Sequence, residues 1–191
     1  MLDQHHTAKL QTWIGRSLGT DDLIVESVQP LGGGSIQENW RVRCVIGGGR
    51  ETREFVLRKD APATIASSRP RSEEFAILAA AYRAGVRAPE PVGFCDDPEV
   101  IGAPFAMMGL IEGVGLGPRI AKDKTLGGDR IRLAEQLGRE LAKIHAIRPP
   151  QEDLAFLGEP DPQPALAEVR SLRNTLDGLQ VTRPSTEWGL R

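Results

Sequence analysis

Three features of this sequence could engage a phosphate group. The first is the stretch LGGGSIQENWRV, residues 31–42, in which Gly32, Gly33 and Gly34 precede Ser35. Glycine carries no Cβ, so such a run reaches positive φ and brings bare backbone N–H groups close to a ligand; a concavity of amides binds anions. A plain hairpin turn accounts for the same glycines, and the stretch alone leaves both readings open. The second feature is the pair Arg58 and Lys59 in FVLRKD. Neighbours on a strand point to opposite faces, so only one of the two can enter a cleft shared with the glycines. The third is Glu73 and Glu74 at the start of a helical stretch, where a carboxylate suits the positive end of the helix dipole and is also placed to hold a strand cation.

Other chemistries find little footing. Cys44 and Cys95 lie far apart, with no C-x-x-C pair and no clustered histidines, which argues against a disulfide scaffold or a zinc site. Lys plus Arg number 24 against 26 Asp plus Glu, a formal charge of −2, so the basic footprint of a nucleic-acid binder is missing. No run of about 18 apolar residues occurs, and MLDQHHTAKLQTWIG has neither the basic start nor the apolar stretch of a signal peptide. The expectation is a reduced, cytoplasmic protein with neither a nucleic-acid nor a membrane partner; oligomeric state is not written here. A Walker-type G-x-x-x-x-G-K-[ST] is absent, which removes a P-loop fold from consideration. His5 and His6 fit a solvated helix start, Asp96 and Asp97 a Pro-containing turn, and the second glycine triplet, Gly47 to Gly49, a loop. His145, one helical turn beyond Leu141, reads as a partly buried structural histidine rather than a base.

Hydrophobic spacing shows what must position these groups. Leu10, Trp13, Ile14 and Leu18 recur at helical intervals up to Gly19, predicting an amphipathic helix over 4–18 with a glycine at its C-terminal cap. DLIVESVQPL, NWRVRCVI and REFVLRKD alternate between glycine-rich turns, predicting a three-strand antiparallel meander. APATIASSRPRS reads as a connector, and Ser72 as the N-cap of a helix whose Phe75, Leu78, Ala79 and Tyr82 form one apolar face before Gly85. Pro89 and Pro91 bar a further helix, and PVGFCDD and APFAMMGLI read as two strands around an Asp-Pro turn. Beyond EGVGLGPRI the pattern turns helical. GDRIRLAEQLGRELAKIHAI sets Leu133, Leu137, Leu141 and Ile144 on one stripe ended by Pro149 and Pro150, and PALAEVRSLRNTLDGL repeats the spacing. Gly113 to Gly117 mark the join, dividing a sheet-bearing lobe, 1–113, from a helical segment, 114–191.

A glycine-rich hairpin, a basic residue on the third strand, a helix with an early glutamate, and an apolar fifth strand running into a glycine-containing linker occur here in that order. These are the parts of the nucleotide-binding half of a protein-kinase-like fold: amides over the phosphates, a cation for their charge, and a carboxylate to hold the cation. The apolar strand offers an adenine slot, with backbone groups at its end for the purine edge. The predicted class is α+β, a five-stranded antiparallel N-lobe sheet with a packed helix followed by the first helices of an α-helical C-lobe.

LGGGSIQENWRV, FVLRKD, EEFAILAAAYRAGVRAPEPVGFCDDPEVIGAPFAMMGLIEG and LAEQLGRELAKIHAI together resemble the aminoglycoside phosphotransferase and choline kinase-like family, and within it the phosphotransferase-like domains fused to some acyl-CoA dehydrogenases. The resemblance covers nearly the whole chain and rests on the order and spacing of its motifs. It implies that Gly32, Gly33, Gly34 and Ser35 form a flap over the ATP phosphates. Arg58 stands where protein kinases carry the lysine of V-A-I-K; an arginine there departs from the kinase pattern, yet it forks onto two phosphate oxygens and keeps its charge. Val56, on the same strand face, would roof the adenine. Glu74 would hold the cation, although Glu73 suits the helix dipole equally. Met107 and Met108 precede the linker, and the resemblance implies adenine contacts around Met108, Gly109 and Ile111; methionines are also common core filler.

The resemblance also implies residues that are not found here. Phosphoryl transfer in this fold needs a catalytic aspartate, an asparagine and a second aspartate for Mg²⁺, in a stretch like H-G-D-x-x-x-x-N and beyond. No H-x-D occurs, since His5, His6 and His145 are followed by other residues. The expectation is therefore an N-terminal, ATP-binding portion of a small-molecule phosphotransferase that moves the ATP γ-phosphate to a substrate hydroxyl. Its Mg²⁺ ligands are expected downstream of Arg191, and the chain alone is expected to be inactive. The alternative is a non-catalytic, pseudokinase-like module for nucleotide binding or interaction. The acceptor is not specified by these residues.

Overall fold

A computed structural model of the chain describes residues 4–32, 37–60, 69–148, 150–159, 161–178 and 184–189, in two compact units, Met1–Arg148 and Pro149–Arg191. The first unit runs α1 (Gln4–Leu18), β1 (Leu23–Leu31), β2 (Gln37–Ile46), β3 (Glu51–Asp60), α2 (Arg71–Arg83), β4 (Pro91–Cys95), β5 (Phe105–Gly109), α3 (Gly117–Lys122) and α4 (Arg130–Ala146). The second holds a 3-10 turn at Glu152–Leu157, then α5 (Pro164–Gly178) and α6 (Pro184–Gly189). The glycine join at 113–117 falls inside the first unit. Among the described residues no helix is long and apolar enough to cross a membrane.

The five strands form one antiparallel sheet in the order β1-β2-β3-β5-β4. The turn between β2 and β3 uses Gly47, Gly48 and Gly49 at φ 65°, 65° and 95°, a region that glycine enters without Cβ strain. The hairpin of β4 and β5 folds back so that β5 lies against β3, with Val56 opposite Met108, Leu57 opposite Met107 and Arg58 opposite Ala106. Alternation then puts Val56, Arg58, Ala106 and Met108 on one face, and Phe55, Leu57, Phe105 and Met107 on the other. β5 is flanked on both sides, and Phe105, Ala106, Met107 and Met108 are all buried.

The second face is the core. Leu10 and Ile14 of α1 are fully buried in one cluster with Val42, Phe55, Leu57, Phe105 and Met107, and Trp13 meets Phe105 edge-on at 4.7 Å between ring centres. The opposite face is covered by α2, which packs against β4 and β5. Apolar burial on one face thus frees the other to carry polar groups.

Local details depart from the sequence expectation. Ser72 is not the N-cap of α2: the helix begins at Arg71, and Pro70, at φ −54° and ψ 148°, holds the cap position with no side-chain hydrogen bond. The locked proline ring already supplies the extended backbone that a cap needs, so the helix starts two residues earlier. For α4 the cap is Asp129, whose carboxylate accepts from the N–H groups of Ile131 and Arg132 at 2.8 and 3.3 Å. His145 is exposed rather than partly buried. Leu137, Leu141 and Ile144 beside it are exposed as well, so among the described residues nothing covers that stripe.

α4 is fastened to the turn after α2 by polar contacts. Lys143 Nζ donates to the Gly85 carbonyl at 2.7 Å, and the Glu140 carboxylate accepts from Lys143 and, at 2.8 Å, from the Arg87 N–H. The Lys143 hydrogen bond, then the Arg87 amide, hold the Glu140 carboxyl below its ordinary value. A depressed carboxyl contributes stability that is present above the unfolded-state value and lost as pH falls through the folded one. The difference in unfolding free energy between the native chain and Glu140→Gln is therefore expected to be largest near neutral pH and to shrink as pH falls through and below the ordinary glutamate range, measured by urea denaturation across pH. A second expectation concerns Gly15. Helix propensity alone favours Gly15→Ala by up to about 1 kcal/mol, but a Cβ there would lie 2.7 Å from the Thr20 carbonyl oxygen. The clash involves backbone and cannot swing away, so the variant should be destabilised by about 1–3 kcal/mol in the same assay.

Candidate functional site

Register places Arg58 of β3 in a cavity and Lys59 outside it. Arg58 shares its face with Ala106 and Met108, and these three line a cavity of about 220 Å³ between α2 and the sheet, together with Arg71, Glu74, Phe75 and Leu78. The Arg58 Nε donates to Oδ1 of Asn39, its cross-strand partner on β2, at 3.1 Å. That bond orients the guanidinium while using only one of its N–H groups. Lys59 projects to the other face and pairs with Glu38 at 3.0 Å.

The second arginine in the cavity was not anticipated from sequence. Arg71 is 4% exposed, although arginine is rarely buried without partners and a cation in the first turn of a helix opposes the dipole. Two carboxylates compensate: the Arg71 guanidinium donates through Nη1 to Glu74 and through Nη2 to Asp60 at the end of β3. Its Nε, also buried, has no hydrogen-bond partner among the described residues. Glu74 lines the same cavity as Arg58, but the ion pair it makes among the described residues is with Arg71, three positions before it on the same helix. The expected Arg58–Glu74 pair is thus replaced by a nearer cation on Glu74's own helix. Glu73 pairs outside the cavity, with Arg69 at 2.9 Å.

The other sequence candidates divide by position. Gly32 is exposed just beyond β1, whereas Gly33, Gly34 and Ser35 lie outside the described residues. Val56 lies on the Arg58 face, opposite Met108. At the end of β5 the Gly109 N–H donates to the Glu90 carbonyl at 2.8 Å and the Leu110 N–H to the Glu54 carbonyl at 3.0 Å. Among the described residues the next amide, that of Ile111, donates no backbone bond, and Ile111 is 59% exposed. Two further groups are set aside by their surroundings. Burial pushes the Cys44 thiol up to about 11, which keeps it protonated and inert. The Glu54 carboxyl is held below its ordinary value by the Arg41 hydrogen bonds, at 3.0 and 2.6 Å. Among the described residues no three or more His, Cys, Asp or Glu gather where a metal ion could be held.

Comparison with known proteins follows the same fold. The profile of the phosphotransferase enzyme family matches residues 27–187. The chain is 33% identical over 100 residues to acyl-CoA dehydrogenase family member 10 of Mus musculus, and 30% identical over 98 residues to acyl-CoA dehydrogenase family member 11 of Pongo abelii. These matches take in 50% and 49% of this chain but only 9% and 12% of those proteins' own length. A crystal structure of a presumed aminoglycoside phosphotransferase from Ralstonia eutropha aligns with a TM-score of 0.62 at 19% identity, over 96% of this chain and 50% of that one. The five-stranded sheet with its packed helix is accordingly a protein-kinase-like α+β fold.

The Arg71 contacts carry an energetic expectation. Asp60 and Glu74 keep 44% and 31% of their side chains exposed, so water can recover part of what they lose when the guanidinium is removed. Arg71→Met should lower stability by about 1.5–3 kcal/mol, the range for hydrogen bonds to charged groups, read from the urea midpoint.

Proposed function

The chain belongs to the phosphotransferase enzyme family, and from that premise we propose that it is the ATP-holding portion of a small-molecule kinase. The observation that carries this reading is Arg58: a guanidinium fixed through Nε by Asn39, lining a cavity whose floor is the apolar strand β5. An arginine held by one edge presents its remaining N–H groups as a fork, the geometry that suits two oxygens of one phosphate.

ATP, when bound with Mg²⁺, supplies the transferable γ-phosphoryl group. The chain's own residues supply the binding and orientation. Arg58 would take phosphate oxygens, and the amides of Gly32, Gly33, Gly34 and Ser35 would close over them. Val56 and Met108 would flank the adenine, with the Gly109 carbonyl and the Ile111 N–H at its edge. Charge fixed in advance around a phosphate needs no reorganisation when the group moves, which is how such a site lowers a barrier. The groups that would orient an acceptor hydroxyl and ligate Mg²⁺ are not among these residues, since no H-x-D occurs; the 191 residues are proposed to bind nucleotide without transferring phosphate, in the cytoplasm.

Isothermal titration with MgATP tests the reading. The native chain is expected to bind saturably, and Arg58→Ala to bind about 10- to 100-fold more weakly, as the loss of charge-assisted bonds dictates. Arg58→Lys keeps the charge but not the fork and should fall between. Equal affinity for the native chain and Arg58→Ala would remove Arg58 from the site.

A further inference from the structure

We propose that two tasks are divided here between two arginines: Arg71 neutralises Glu74, and Arg58 is thereby kept for the nucleotide phosphates. The division rests on the nucleotide reading above, and Arg71 enters it as a positioning residue that acts through Glu74.

Three observations lead to it. Arg58, Arg71 and Glu74 all line one cavity, so a carboxylate without a partner there would draw whichever cation could reach it. Arg71 already commits one nitrogen to Glu74 and another to Asp60, while the Arg58 contact runs through Nε to the neutral side chain of Asn39. Among the described residues Arg58 makes no ion pair. The position of Arg71 is also unfavourable by local rules. It is a nearly fully buried cation at the positive end of α2, with an Nε that finds no hydrogen-bond partner among the described residues. Departures from local preference of this kind concentrate where a site requires them.

The arrangement has a second consequence. Asp60 ends β3 and Arg71 begins α2, so the same guanidinium ties the strand that carries Arg58 to the helix that carries Glu74.

The test uses the full chain with Arg58→Ala, Arg71→Met, Glu74→Gln and the doubles R71M/E74Q and R58A/E74Q, each measured for MgATP affinity by calorimetry and for urea unfolding. Glu74→Gln should leave MgATP affinity within about twofold, whereas Arg71→Met exposes Glu74 to Arg58 and should weaken binding about tenfold. The R71M/E74Q double should recover to within about threefold of the native chain, a rescue that a merely structural Arg71 would not give. In unfolding, Arg71 and Glu74 should couple by about tenfold in the equilibrium constant, and Arg58 and Glu74 should not couple. Loss of MgATP affinity in Glu74→Gln comparable to that in Arg58→Ala, with Arg58–Glu74 coupling, overturns the division. A double variant that stays weak while Glu74→Gln binds normally also overturns it, since the loss would then come from Arg71 itself and not from an unpaired Glu74. If Arg71→Met does not fold, Glu74→Gln and R58A/E74Q decide by the same criteria. Absence of any MgATP response in the native chain overturns the nucleotide reading and the role of Arg58, while the Arg71–Glu74 coupling still reports on the ion pair.

Discussion

A guanidinium enters a protein interior only where carboxylates meet it, and at Arg71 that requirement joins strand to helix. Asp60 closes β3 and Glu74 faces inward from the first turns of α2; the charge between them is nearly sealed from water. Removing either carboxylate leaves the desolvated guanidinium with one charged partner in place of two, which costs stability. The ion pairs join β3 to α2 beside the cavity that Arg58 lines.

The sheet supplies the other half of the arrangement. Its register divides β3 and β5 into an apolar face, sealed by Leu10 and Ile14 of α1, and a mixed face that holds Arg58, Ala106 and Met108. Each face does a different task because side chains alternate. The core face anchors β5 between β3 and β4. A shift of one residue in the β3–β5 pairing would send Arg58 into the core and Leu57 into the cavity, so burial of Phe55 and Leu57 protects the position of the cation.

Much of this was legible from pattern. Period-two alternation located β1, β2 and β3, helical spacing located α1 and α4, and alternation assigned Arg58 and Lys59 to opposite faces, where the structure has them. The order of elements pointed to the kinase-like sheet because each part is readable locally. What could not be read depended on partners distant in sequence. Arg71 has the composition of a surface residue, and its burial follows from Asp60, eleven residues earlier; residue type alone carries no trace of that. The pairing of Glu74 was misread for a related reason. The expected partner came from the family pattern, whereas the nearest cation sat one turn away on its own helix. Ser72 was placed at the cap because serine favours that role, but the proline two residues before it already had the required φ. His145 was placed inside on the strength of the α4 stripe, yet a helical stripe specifies only that a face is apolar, not that something lies against it.

Side-chain NMR of the arginine-labelled chain during MgATP titration tests the central claim most directly, because each guanidinium reports its own environment. Assigned through Arg58→Lys and Arg71→Lys, the Arg58 Nη–H signals should shift and sharpen as the fork closes on phosphate, while those of Arg71 stay where they were. Saturable shifts elsewhere in the chain with Arg58 unmoved would contradict the account, since the nucleotide would then be bound without the cation around which the site is read.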